Sequence, residues 1–257
     1  MKFAVLYSKK DLAGVNIAQE LKEHYLPQTP IIEMKKESIF NEDIDKDRRL
    51  KDMDFLIFAT KHQSKEKIPS LSLHAPGNWR NADFGGKSGK ICPTSSLALK
   101  FLFQKLNENS QDKNVTLECT HHGPLIDKPC CFIEIGSDEA AWKDKELGKI
   151  IAKTIADFQN FKKTKYKTAI GIGGPHYCPN FNKIQKNSDI AISYIIPEYV
   201  LPLTRPMLEE AIAKTKEDID LILVDWKGCG KSAEREKVIE IIEKIGIEWE
   251  RTSKIEK

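Results

Sequence analysis

The chain lacks the features that would place it in a membrane, in a secretory route or in a cofactor class. No stretch of its 257 residues approaches the roughly 20 consecutive apolar residues of a membrane span. The apolar run after Lys2 ends when charge returns at Lys9, far short of a secretory leader. A soluble, cytoplasmic protein is expected. Charge of one sign is also missing: 41 basic residues stand against 38 acidic ones, a net +3, so no global field demands a polyanionic partner. The six cysteines form no CxxC pair and two are adjacent, Cys130 and Cys131, which excludes a disulfide framework and points to reduced thiols.

Two phosphate motifs are present only as fragments. Asp225 to Ser232, DWKGCGKS, closes like a nucleotide-triphosphate loop, but Asp225 stands where the first glycine belongs. Gly171 to His176, GIGGPH, puts His176 at the third glycine of the dinucleotide fingerprint, and no helix is expected promptly after it. HExxH and HxH are absent, so no local spacing announces a metal.

What the chain does have is 40% hydrophobic residues in short β-branched runs separated by helical stretches, the pattern of an α/β protein in one domain, 1–257. Strands are predicted at 2–7, 54–59, 115–120, 130–135, 168–172, 191–195 and 221–225, with a weaker one at 246–251. Helices are predicted at 14–24, 95–107, 138–161, 205–215 and 233–245, the fourth with Thr204 as its N-cap and Pro206 in its first turn. Three segments, 61–94, 121–129 and 173–189, are rich in Gly, Pro, Asn and His and read as long loops.

Five of the six histidines fall in those loops: His62, His74, His121, His122 and His176. Where loops leave the carboxyl ends of strands, they converge on one crevice. The expected chemistry is hydrolysis, with His62, His121, His122 and His176 as catalytic groups. Zinc is the natural metal for imidazole and carboxylate donors, and His74, His121, His122, His176 and Glu134 are the ligand candidates, with His62 and Glu118 also in reach. Alternation along an extended 115–122 would put His122 with Glu118 on one face and His121 with Cys119 on the other, so one histidine would face the cleft. Gly173 and Gly174 are expected to free backbone N–H groups for an anion or oxyanion, with Lys227 and Lys231 beside Gly228 and Gly230 as anion binders. Cys178 and Cys229 are weak nucleophile candidates. The FKKTKYK cluster, Phe161 to Lys167, is the first choice for meeting phosphates.

Five ordered blocks, KHQS at 61–64, HAPGNW at 74–79, THHGP at 120–124, GIGGPHYCPNF at 171–181 and DWKGCG at 225–230, together resemble the archaeal- and plant-type D-aminoacyl-tRNA deacylases. The resemblance implies a three-layer α/β/α fold with a mixed sheet, of the phosphorylase and peptidyl-tRNA-hydrolase type. It also implies zinc as cofactor, a monomer without an obligate protein partner, and cleavage of the ester between a D-amino acid and the 3′-terminal ribose of tRNA, a quality-control step in translation. On that footing Lys61, Ser64, Trp79, Gly173, Gly174, Tyr177, Lys227 and Lys231 are substrate-binding candidates, with Trp79 or Tyr177 stacking on a base. The alternatives are a related metallo-hydrolase of peptides or N-blocked aminoacyl-tRNA, a non-enzymatic nucleic-acid- or metal-binding protein, and, on fold analogy alone, a nucleoside phosphorylase.

Overall fold

The computed structural model describes residues 1–25, 28–64 and 67–255. The fold is α/β, as the pattern predicts, with the mixed sheet that the resemblance implies. In chain order the elements are β1 (Phe3–Ser8), α1 (Leu12–His24), β2 (Ile31–Met34), β3 (Phe55–Gln63), β4 (Ser70–His74), the short β5 (Gly77–Asn78) and β6 (Lys90–Ile91), α2 (Ser96–Asn109) and β7 (Val115–Leu117). There follow β8 (Cys130–Ser137), α3 (Glu139–Lys143), α4 (Lys145–Asp157), β9 (Lys167–Ile172), α5 (Pro179–Asn187), β10 (Ile190–Ile196), α6 (Arg205–Lys214), β11 (Leu221–Val224), α7 (Ser232–Ile245) and β12 (Glu248–Arg251).

Six strands pair in the order β2-β1-β3-β8-β4-β7 and four in the order β10-β9-β11-β12. Every pair is parallel except β8 with β4, and β5 with β6 in a separate two-stranded ribbon. The chain beyond β7 joins the two main sheets: Cys119 N donates to the His176 carbonyl at 2.9 Å and Thr120 N to that of Ile195 at 3.2 Å.

The six-stranded sheet has two unlike faces, because side chains alternate along a strand. One face presents Val5, Ile57, Ala59, Leu71, Leu73, Ile133 and Ile135 to helices α1, α2 and α4. The other carries Leu6, Leu56, Phe58, Cys130 and Phe132 at one end, covered by Leu50 and Ile126 from the segments around it. Further along that second face the side chains become polar, and the site lies there.

Several sequence expectations need correction. The predicted helix 138–161 breaks at Asp144, because two aspartates each start a helix: Asp138 Oδ1 accepts from Ala141 N at 3.1 Å and Asp144 Oδ1 from Glu146 N at 2.8 Å. Thr204 makes no side-chain cap bond to α6. The predicted loop 61–94 contains β4, and the predicted loop 173–189 contains α5, which starts at Pro179 just after the GIGGPH turn. Strand β7 stops at Leu117 rather than Thr120. Strand β8, which carries Glu134, is separated from β7 by β4. The FKKTKYK cluster runs into the amino end of β9, at Lys167, whereas Gly173 and His176 follow its carboxyl end, so the length of the strand, ~20 Å, separates those lysines from the loop.

Candidate functional site

The register of the mixed sheet sets out the site. Across β3, β8 and β4, Thr60 pairs with Glu134 and Glu134 with Ser72, while His62 pairs with Gly136 and Gly136 with Ser70. His74 lies one alternation further along β4, beside Phe132, and Ser72 pairs with Thr116 of β7. Paired residues share a face, so these polar side chains form one continuous polar patch. The crevice rule for carboxyl ends applies to sheets whose strands all run one way. Here β4 and β7 run against β3 and β8, so His62 and His74 approach from opposite strand ends and meet over the sheet face.

Local structure fixes the end of β3. Asp11 caps α1 through Oδ1, which accepts from Gly14 N at 2.9 Å, while Oδ2 accepts from Thr60 Oγ1 at 2.7 Å and Lys61 N at 2.9 Å. A Cβ on Gly14 would stand 2.7 Å from the Ala59 carbonyl oxygen, so glycine is what lets α1 close onto β3. The next alternation turns Lys61 away from His62, to an ion pair with Glu37 at 3.6 Å and the face of Trp142.

His74, His121 and His122 form a cluster in which one ring nitrogen of each lies within 4.8 Å of the others. Ring centroids are 4.5 Å apart for His74 and His121, 4.9 Å for His74 and His122, and 4.3 Å for His121 and His122. The alternation expected for 118–122 does not hold, because β7 has ended and His122 takes a left-handed φ of 47° that brings both rings of the pair to His74. In each of the three, Nδ1 meets a main-chain carbonyl: His74 at Ala75 (3.2 Å), His121 at Cys119 (2.8 Å) and His122 at Gly123 (2.7 Å). A proton on Nδ1 satisfies those contacts and leaves the Nε2 lone pair as the ligand atom. His74 Nε2 is buried without a hydrogen-bond partner. Burial, and then mutual repulsion with His122, pushes His74 down to about 3. Burial alone dominates His122, at about 4, and His121 falls well below the usual range for the same reason followed by its two neighbours. Three neutral imidazoles converging around an unsatisfied nitrogen fit a metal ion.

Beside this cluster stand two carboxylates in opposite states. Burial works against ionisation of Glu118, but hydrogen bonds from His176 and His62 overcome it and hold its carboxyl well below the usual range. His176 Nε2 lies 2.9 Å from Glu118 Oε2 and His62 Nδ1 3.1 Å from Oε1. Glu134 is raised well above the usual range by burial, then by the charges of Glu118 and Asp11, and accepts from Ser72 Oγ at 3.4 Å. A pair of carboxyl groups shifted in opposite directions can serve different proton-handling roles. For His176, burial is outweighed by Cys119 and Glu118, which raise it to about 10 and make it an imidazolium. His62 Nε2 meets the Tyr177 hydroxyl at 3.0 Å. A second donor group, Cys119, His121 and His176, and a third, His62, Glu118 and Glu134, adjoin the first.

The structure therefore gathers His62, His74, His121, His122, His176, Glu118, Glu134 and Tyr177. It leaves other candidates elsewhere. Trp79 is a core residue, its indole N–H donating to the Ile195 carbonyl at 3.3 Å and its ring packed on Tyr194. The N–H of Gly173 is taken by Ile196 O at 2.8 Å and that of Gly174 by Gly228 O at 3.3 Å, so neither is a free oxyanion donor. These glycines instead allow two loops to touch. Both have positive φ, and a Cβ on Gly228 would overlap the backbone of Gly174. Lys227 and Lys231 are exposed on the loop behind them. Ser64 lines a cleft of about 400 Å³ with Tyr177. Cys178 and Cys229 are buried, with thiols pushed up by burial, Cys229 to about 12, and are poor nucleophiles. Sequence reasoning missed Tyr199, whose hydroxyl meets His176 Nδ1 at 3.2 Å and Cys119 Sγ at 2.9 Å. Its signal was its place just after the carboxyl end of β10, the edge that also receives the 173–178 loop.

An α/β scaffold that brings a histidine cluster fit for a metal beside a split carboxylate pair defines a hydrolase-type site. Comparison with known proteins gives the family. Residues 49–250 match the family model described as D-aminoacyl-tRNA deacylase. Curated relatives of that name include one from Thermococcus onnurineus, 36% identical over 96% of this chain and 98% of its own length, and one from Methanocaldococcus jannaschii, 35% identical over 98% and 100%. A crystal structure of a conserved protein of unknown function superposes with a TM-score of 0.91 at 30% identity, covering 98% of this chain and 96% of that one. The chain belongs to the D-aminoacyl-tRNA deacylase family.

Proposed function

We propose that this protein hydrolyses the ester between a D-amino acid and the terminal ribose of tRNA, releasing the free D-amino acid and tRNA. The observation that carries this reading is the convergence of His74, His121 and His122, neutral and with Nδ1 of each directed at a main-chain carbonyl, next to the charged Glu118. Zinc held by these three imidazoles would supply, when bound, a water acidic enough to act as hydroxide near neutral pH. His176 Nε2 is engaged by Glu118, so His176 and Glu134 stand beside that set rather than in it.

The chain's own groups handle protons and position. Glu118 Oε2 meets His176 Nε2 in a hydrogen bond and Oε1 stands 3.1 Å from His62 Nδ1, so the carboxylate positions both rings. His176, held as the imidazolium, supplies the proton that the departing ribose oxygen needs. The Tyr177 hydroxyl orients His62. The L-isomer is excluded by shape, its side chain or amine meeting the loop walls. Exposed Lys227 and Lys231 meet the phosphates of the tRNA end. The protein acts as a cytoplasmic monomer, and no helix among the described residues is long and apolar enough to cross a membrane.

The test is hydrolysis of matched D- and L-tyrosyl-tRNA by the purified protein. Release of the D-amino acid alone is expected. Equal turnover of the two isomers overturns the stereospecific reading, and cleavage only of peptide or N-blocked substrates moves the assignment to an amide hydrolase.

A further inference from the structure

One cleft beside the site is not used by the chemistry above. Its volume is about 400 Å³, within the range of small-molecule sites, and its walls include Ser64, Ser70, Asn114, Thr116, Pro175, Tyr177 and Pro179. Two features connect it to the reaction centre. Its wall at Pro175, Tyr177 and Pro179 is the same loop that carries His176, and Tyr177 meets both the cleft and His62 Nε2. Gly136 is where the two meet: a Cβ there would stand 2.8 Å from Ser70 Oγ of the cleft and 2.9 Å from His62 Cδ2 of the site, so glycine lets the cleft wall pack directly against His62.

The lining has a consistent chemistry. It combines hydroxyls and amides with the flat faces of a tyrosine and prolines, and no acidic or basic side chain is among the described residues that line it. Walls of hydroxyls, amides and flat rings select by shape and hydrogen bonding. They suit a neutral, planar, hydrogen-bonding group, which in an aminoacyl-tRNA is the base and ribose of the terminal nucleoside. We propose that this cleft is the subsite for the terminal adenosine, with the ester carbonyl directed past Tyr177 toward His62 and the histidine cluster. The assignment rests on the deacylase reading and adds where the nucleoside half of the substrate is held.

The experiment compares two esters of one D-amino acid: D-tyrosyl-adenosine, which carries the nucleoside, and D-tyrosine methyl ester, which does not. The variants are Asn114→Trp and Ile68→Trp, two exposed positions on the rim that a bulky ring would block, with folding checked by melting temperature. The ratio of kcat/KM for the adenosine ester to that for the methyl ester should fall roughly 10- to 100-fold in both variants, the loss expected when one base loses its stacking site. An unchanged ratio in both variants overturns the cleft assignment while the deacylase reading stands. If the two esters lose activity in proportion, the cleft holds the amino-acid half instead, and the assignment falls. Wild-type protein that cleaves neither ester nor D-tyrosyl-tRNA removes the reading beneath it.

Discussion

The two faces of the six-stranded sheet are built from the same strands and do opposite work. In β4, Leu71 and Leu73 enter the core under the helices while Ser70, Ser72 and His74 point to the site; in β8, Ile133 and Ile135 do the first and Glu134 and Gly136 the second. The apolar face contributes ~2 kcal/mol for each fully buried leucine or isoleucine. The polar face costs stability, since it takes two carboxyl groups and several imidazoles out of water. Alternate residues of one strand thus divide folding from function, and this makes the two roles separable by mutation.

The largest separation is expected at the histidine cluster. His122→Ala should reduce deacylation by about 10³-fold or more, as loss of a metal ligand or proton-transfer group does, while the melting temperature is unchanged or higher. Steady-state kinetics and calorimetry on the same preparation would show it. A coincident loss of fold would break the comparison.

On the opposite face, Leu73→Ala should cost about 2–5 kcal/mol of stability through the cavity it leaves, with kcat near the wild-type value at low temperature. Denaturant unfolding measures the first and single-turnover kinetics the second.

A third difference is in pH. His74 titrates at about 3 when folded and at its ordinary 6.5 when unfolded, so below 6.5 the unfolded chain binds the extra proton. For the metal-free protein, stability is therefore held above pH 6.5 and lost as pH falls toward 3, by about 2 kcal/mol at pH 5 from His74 alone. Glu118, depressed below its ordinary 4.5, adds to the loss below that value. His176, raised to about 10, works the other way: its contribution is complete below 6.5 and fades as pH rises through 10. Melting temperatures at pH 5, 7 and 10 should peak at the middle value. A flat profile between 7 and 5 would contradict the neutral cluster.

The smallest effect should come from Glu134→Gln, which keeps the shape of a protonated carboxyl. Stability should change by less than about 1 kcal/mol and activity by less than about tenfold. Glu118→Gln, which removes the charge between His62 and His176, should cost far more activity. Equal losses in the two variants would show that the carboxylates are not split.

Much of this was legible in the residues, and the gaps have physical causes. The strands with continuous apolar runs, such as FLIFAT and LILV, stood out because they are buried on both sides or nearly so. SLSLH at 70–74 carries a clean period of two, yet prolines at 69 and 76 and the surrounding loop composition concealed it as a strand. The break at Asp144 was visible only to a reading that gave a second capping aspartate priority over continuing helical period. The five loop histidines were found from composition, and all five meet. Their arrangement was not, because it depends on β4 pairing antiparallel to β8, a contact between residues about sixty positions apart that no local pattern encodes. The same long-range pairing brings Glu134 between His62 and His74. Gly173 and Gly174 were read as donors of free N–H groups, but glycine there serves the contact between two loops.

Zinc held by the neutral histidines of the polar face is the centre of the proposed reaction. The direct measurement is turnover of D-tyrosyl-tRNA by protein stripped with a chelator and then given zinc, with metal content read on the same samples and on His74→Ala. Activity lost on stripping and restored by zinc, with metal bound by the wild type and not retained by His74→Ala, is the predicted result. Full activity in metal-free protein would contradict it and leave the reaction to His62, Glu118 and His176 alone.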